Sequence, residues 1–162
     1  MTELRPRRKS ESWASSAAIR KTMLGCRSRD TAPELALRSA VHRLGLRYRV
    51  STRPISAVRR TADMVFASEK VAVMLDGCFW HQCPRHYVPP LTNAPYWEGK
   101  IAGNVARDRD TDRCLSEAGW KVLRVWECED VNDAALRIWD VIWGRRTPSR
   151  GPGLPNVSPA AK

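Results

Sequence analysis

The stretch Ala62-Asp63-Met64-Val65-Phe66-Ala67-Ser68-Glu69-Lys70-Val71-Ala72-Val73-Met74-Leu75 decides the fold class. Two runs rich in apolar residues flank the short Ala67-Ser68-Glu69, a pattern that predicts a hairpin of two strands. The second run, Lys70 to Leu75, is almost continuously apolar, as expected of a strand covered on both faces. Such a sheet needs helices on either side, and the flanking sequence offers them. Upstream, Thr31-Ala32-Pro33-Glu34 reads as a capping box with Pro in the first turn, and Leu37, Ala40, Val41 and Leu44 follow at helical spacing until Gly45. Leu46 to Val50 reads as a further strand. Downstream, Tyr96 to Ala118 carries Ile101, Val105, Asp108, Asp112 and Leu115 on one helical stripe and stops at Gly119. Lys121 to Trp126 is a strand, and Asn132 to Trp143 is a helix with Leu136, Trp139 and Ile142 facing inward. The order of these elements predicts one α/β domain over residues 18–144, a central mixed β-sheet flanked by helices.

Composition narrows the class. The chain has 162 residues, the size of one domain, and its 43% apolar and 28% charged content excludes wholesale disorder. No apolar run approaches the ~20 residues of a membrane span. Met1 to Ser12 has no apolar signal core, so a soluble, cytoplasmic protein is expected, with no membrane partner. The net charge of +11 is unevenly placed: residues 1–60 carry 15 Lys and Arg against 4 Asp and Glu, and the remainder is balanced. Residues 1–17 read as a basic flexible arm that neutralises phosphates, with a solubilising tail as the alternative. Residues 145–162, with four Pro and two Gly, read as a disordered tail.

The chemistry concentrates between the predicted elements. Asp76-Gly77-Cys78-Phe79-Trp80-His81-Gln82-Cys83-Pro84-Arg85-His86 has no periodicity, so this loop needs something other than a core to hold it. Cys78, Cys83 and His86 supply three soft or borderline ligands, and Cys128, just after the Lys121 to Trp126 strand, supplies a fourth for a closed structural zinc site. Buried thiols are the alternative. An odd total of five cysteines and no signal core argue against a disulfide framework. Phe79 and Trp80 beside such an anchor are placed to project outward and stack on bases, or else to pack in the core. His81 reads as a general base, a structural imidazole or a competing zinc ligand in place of His86. Asp63, opening a strand, suits a Mg²⁺ site for phosphodiester hydrolysis, although strand-end Asp residues are common. Asp108 occupies a core-facing position and therefore needs a partner such as His81, an Arg or a metal-bound water.

These residues carry a resemblance. Asp76 to His81, Tyr96-Trp97 with Lys100-Ile101 and Asn104, Arg107-Asp108, and Gly119 to Cys128 resemble the very short patch repair endonucleases, as do Met23, Arg29-Asp30-Thr31 and Pro33-Glu34-Leu35 upstream. The similarity runs in register from about residue 20 to 143. It implies a restriction-endonuclease-like fold and a nick 5′ of the thymine in T:G mismatches left by deamination of 5-methylcytosine. It further implies Asp63 and the Leu75 backbone carbonyl as Mg²⁺ ligands, His81 as general base, and Asp108 and Glu34 as supporting acids. Phe79, Trp80 and Trp97 would enter the stack from the major groove and Met23 from the minor groove. Cys78, Cys83, His86 and Cys128 would hold zinc. The expected partner is mismatched double-stranded DNA, bound by a monomer, with an accessory mismatch-repair protein as a candidate helper. A related nuclease without mismatch selectivity and a non-catalytic zinc DNA-binding module are the competing readings.

Overall fold

The computed structural model describes residues 29–146. In chain order the elements are α1 (Ala32–Arg43), β1 (Arg49–Thr52), β2 (Ala62–Phe66), β3 (Val71–Asp76), α2 (Ala94–Glu117), β4 (Lys121–Trp126) and α3 (Val131–Arg146). The expected basic arm, Met23 and the residues after 146 lie outside the described residues.

The strands form one four-stranded mixed sheet in the order β1-β2-β3-β4. β1, β2 and β3 pair antiparallel, and β3 pairs parallel with β4 from Val71 opposite Lys121 to Asp76 opposite Trp126. The expected hairpin is β2–β3, with Lys70 at φ +51° and its N–H bonded to the Ala67 carbonyl at 3.3 Å. A parallel partner cannot be reached by a turn, so α2 serves as the crossover from β3 to β4.

Local signals in the sequence set the helix ends. Thr31 stands at the N-cap of α1, but the capping box is shifted by one residue. The Glu34 carboxylate accepts the Thr31 hydroxyl and the Asp30 N–H, each at 3.0 Å. At the end of α2, Gly119 at φ +79° lets its own N–H reach the Ser116 carbonyl and the Trp120 N–H reach that of Leu115, both at 2.9 Å. This is a Schellman closure, which a side chain at position 119 would strain. Asp130 caps α3 by accepting the N–H groups of Asn132 and Asp133.

The larger core lies between one sheet face and α1 with α3. Leu37 and Val41 meet Met64, Phe66, Val71, Val73, Leu123 and Val125, and Ile138, Trp139 and Ile142 close it. The opposite face packs Val65, Ala72 and Met74 against Leu115 of α2. Two element boundaries and one inward-facing position are corrected. β1 begins at Arg49 rather than Leu46, whose side chain is buried in the core ahead of the strand. Leu136 is 39% exposed, because Ala134, Ala135 and Ile138 take the inward positions of α3. α3 continues to Arg146, since Arg145 donates to the Glu69 carbonyl and Arg146 pairs with the Glu69 carboxylate at 2.6 Å.

Candidate active site

The site lies where β3 ends, beside the start of the antiparallel β2. Asp63 sits against this end of β3, and its Oδ2 accepts the Leu75 N–H at 2.7 Å. The two residues therefore meet through the amide of Leu75. Burial pushes the Asp63 carboxyl above the ordinary carboxylate range; the Leu75 N–H opposes this, the Glu34 charge adds to it, Arg38 opposes it and Asp76 adds to it. Glu34 is thus brought from the first turn of α1 into the neighbourhood of Asp63. It is held by Arg38, whose Nη2 lies 2.7 Å from Glu34 Oε2 while Nη1 engages Asp30. Arg38 is buried, and its Nε has no hydrogen-bond partner among the described residues.

On the α2 side, Nδ1 of His81 lies 2.6 Å from Oδ2 of Asp108 and 3.7 Å from Oδ1 of Asp76. The partner required by the core-facing Asp108 is therefore His81 on one oxygen, and Arg124 on the other at 3.3 Å. Arg124 also places Nη1 2.8 and 2.7 Å from the two oxygens of Asp76, and Nε 3.0 Å from Asp112. Burial raises the Asp76 carboxyl, against the pull of Arg124; burial would lower the Arg124 guanidinium, but its bonds to Asp112 and Asp76 raise it. An imidazole held through Nδ1 by a carboxylate keeps Nε2 for proton transfer.

The loop after Asp76 is tied down at several points. The Glu127 carboxylate accepts the Cys78 N–H at 2.6 Å, and Asn104 of α2 donates to the Trp80 carbonyl at 2.9 Å. Phe79 and Trp80 are partly exposed and meet edge to face, with ring centroids 5.1 Å apart. Trp97 is only 6% exposed and lies against both, at 5.5 and 5.8 Å. Lys100 Nζ stands 5.4 Å from the Trp80 ring centre and 5.6 Å from that of Trp97.

Cys78, Cys83, His86 and Cys128 converge, with one ligand atom from each within 4.8 Å of the others. The Sγ atoms of Cys83 and Cys128 are 3.8 Å apart. A tetrahedral ion with metal–sulfur bonds of about 2.3 Å spaces its sulfurs by about 3.8 Å, so the donor set and its spacing fit a metal. Burial and bonds to Cys128 and Cys83 push the Cys78 thiol up to about 12. Burial also pushes Cys83 up, but the N–H groups of Arg85 and His86 and the neighbouring thiols draw it down to about 7. Thiols crowded this closely ionise together only around a cation.

A family model described as DNA mismatch endonuclease Vsr matches residues 14–86. The chain is 36% identical over 122 residues to the DNA mismatch endonuclease Vsr of Escherichia coli strain K12, covering 72% of this chain and 76% of that protein. The chain belongs to the Vsr family. Among its relatives, the Type II nicking enzyme V.NaeI of Lentzea aerocolonigenes is 47% identical over 124 residues, 75% of each chain. The Type II nicking enzyme V.XorIIP of Xanthomonas oryzae pv. oryzae is 38% identical over 112 residues, 68% of this chain and 79% of its own. As a Vsr-family member the protein is a DNA endonuclease, and among its described residues no helix is long and apolar enough to cross a membrane.

Sequence reasoning missed four contributors to this Vsr-family site: Arg124, Asp112 as its partner, Arg38 and Glu127. Arg124 had a readable signal, since it alternates with the core-facing Leu123 and Val125 and so faces the helix that carries Asp108 and Asp112. Arg38 interrupts the apolar stripe of α1, which marks a buried cation seeking acids. Glu127 has no local signal, because its role depends on where β3 ends.

Proposed function

We propose that this Vsr-family endonuclease nicks one strand on the 5′ side of the thymine in a T:G mismatch by Mg²⁺-dependent phosphodiester hydrolysis. The observation that carries the reading is the His81–Asp108 pair, 2.6 Å apart, at the same sheet end as Asp63 and beside the loop bearing Phe79 and Trp80. Acids at one end of a mixed sheet with helices on both faces also support a restriction-endonuclease-like fold.

Asp63 and the Leu75 carbonyl would hold Mg²⁺, while Cys78, Cys83, His86 and Cys128 would hold Zn²⁺. Mg²⁺, when bound, supplies stabilisation of the charge that develops on the phosphoryl and departing 3′ oxygens. Asp108 fixes His81 through Nδ1, so Nε2 takes the proton of the attacking water. Glu34, held by Arg38, orients that water beside Asp63. Phe79 and Trp80 enter the base stack from the major groove; Trp97, which the resemblance also assigns to the stack, is 6% exposed and in this reading supports them from beneath, and Met23 wedges from the minor groove.

A second reading is a related nuclease without mismatch selectivity; the relative 47% identical to this chain is named for nicking, and its name specifies no mismatch. Strand-labelled duplexes that differ only in T:A or T:G at one position, incubated with Mg²⁺, separate the two. Cleavage of the T:G duplex alone, 5′ of the thymine, is the expected result. Equal nicking of both duplexes overturns mismatch selectivity, and no nicking of either leaves a DNA-binding module.

A further inference from the structure

One guanidinium in this molecule answers three carboxylates. Arg124 lies on the face of β4 opposite Leu123 and Val125, beneath α2, where Asp108 and Asp112 sit about one helical turn apart. Its Nη1 spans both oxygens of Asp76 at 2.8 and 2.7 Å, its Nε and Nη2 each reach Asp112 at 3.0 Å, and Nη2 lies 3.3 Å from Oδ1 of Asp108. Asp108 thereby has its oxygens divided, Oδ1 toward Arg124 and Oδ2 toward Nδ1 of His81 at 2.6 Å. Asp76 is the other carboxylate near that nitrogen, with Oδ1 at 3.7 Å. Two acids therefore compete for one imidazole nitrogen, and only one of them is occupied on both oxygens by Arg124.

We infer that Arg124 is the positioning residue of the site, engaging Asp76 on both oxygens so that Asp108 alone orients His81. Without the guanidinium fork, Asp76 is released toward His81, nothing fixes the plane of Asp108, and the imidazole divides between two orientations. Lysine cannot replace this function. Its ammonium keeps the charge but cannot present a planar fork to carboxylates on different elements. Asp112 is the outer anchor: at 38% side-chain exposure it holds Arg124 from the solvent side, while His81 is engaged by Asp108 and Asp76. The inference rests on the reading of His81 as the base, and its test is built so that each can fail separately.

The test compares R124K, D112N and H81A in the full zinc-loaded chain. It reads thermal stability, DNA affinity, single-turnover nicking of a T:G duplex, and the ¹⁵N resonances of the His81 ring. R124K is expected to bind DNA as tightly as the unaltered protein and to nick on the order of 10²-fold more slowly, the scale of a misplaced reacting group. Its His81 resonances should shift away from the single Nδ1-bonded signature. D112N should move rate and resonances in the same direction by a smaller factor, and it decides the matter should R124K not fold. Unchanged His81 resonances in the folded variant, R124K or else D112N, overturn the inference, as does an unchanged rate. If H81A nicks normally, the reading of His81 as base is lost, while the resonances of the other variants still report whether Arg124 sets the ring.

Discussion

An imidazole acts as a base at a defined atom only when its other nitrogen is engaged, and Asp108 engages Nδ1 of His81 at 2.6 Å. His81→Ala is therefore expected to slow nicking by about 10²–10⁴-fold, the usual contribution of a general base. Metal analysis should find the Cys78 cluster still loaded, and loss of its ion would instead make His81 a ligand. Asp63 behaves differently, because burial raises its carboxyl above the ordinary range. A carboxyl raised by folding contributes stability while it is protonated, and that contribution is lost as pH rises through the folded value. In Mg²⁺-free protein, Asp63→Asn should thus melt higher than the unaltered chain near pH 7. The difference should close as pH falls toward the unfolded carboxylate value of about 3.9. Added Mg²⁺ should raise the melting temperature of the unaltered protein alone, since ligand binding stabilises only a chain that has the site. Equal melting curves across pH would remove the buried-charge account of Asp63. At this scale the sequence was informative where a residue broke a pattern: Asp108 on an apolar stripe demanded a partner and found His81 and Arg124. Glu127 broke no pattern, and its bond to the Cys78 N–H arises only from the register of β3 against β4.

Among the elements, the loop following β3 and the start of α2 divide the aromatic work unequally. Trp97 is buried beneath Phe79 and Trp80, which are partly exposed. Trp97→Ala is expected to cost stability on the scale of about 3–5 kcal/mol for a buried aromatic truncation, visible in a denaturant midpoint. Trp80→Ala should leave that midpoint nearly unchanged and cost roughly 1–3 kcal/mol of base stacking, visible in affinity for T:G over T:A duplexes. The opposite assignment of the two effects would mean that Trp80, not Trp97, is the structural ring. Trp97 stands four residues before Ile101, on the inward stripe of α2, which marks it as a buried ring, whereas the aperiodic loop around Trp80 carries no record of which side it presents. The β2–β3 hairpin, by contrast, was legible from its apolar runs alone. The start of β1 was not, since Leu46 is buried by the core without joining the ladder.

Across the whole molecule, the net positive charge is carried by the first sixty residues while Asp63, Asp76 and Asp108 gather at one end of the sheet. Deleting residues 1–17 should weaken DNA binding and flatten its salt dependence, the slope falling by about 0.9 for each phosphate no longer neutralised. An unchanged slope would show that these residues do not touch the backbone. The cysteine cluster spans the chain in a second way. Cys78, Cys83 and His86 follow β3 directly, whereas Cys128 arrives only after α2 and β4. Strands joined locally pair early in folding, and a parallel partner distant in sequence pairs late, because its loop must close first. An ion held by this cluster should therefore be captured in two stages, by three ligands while β4 is still unplaced and by the fourth as the strand docks. Refolding followed by tryptophan fluorescence should show its metal-dependent step in the slow phase, and Cys128→Ala should remove that dependence while leaving the fast phase intact. A strand that docks last would also be the one that brings Cys128 to the loop after β3, so a chain caught before that step would have a sheet under construction and no cysteine cluster.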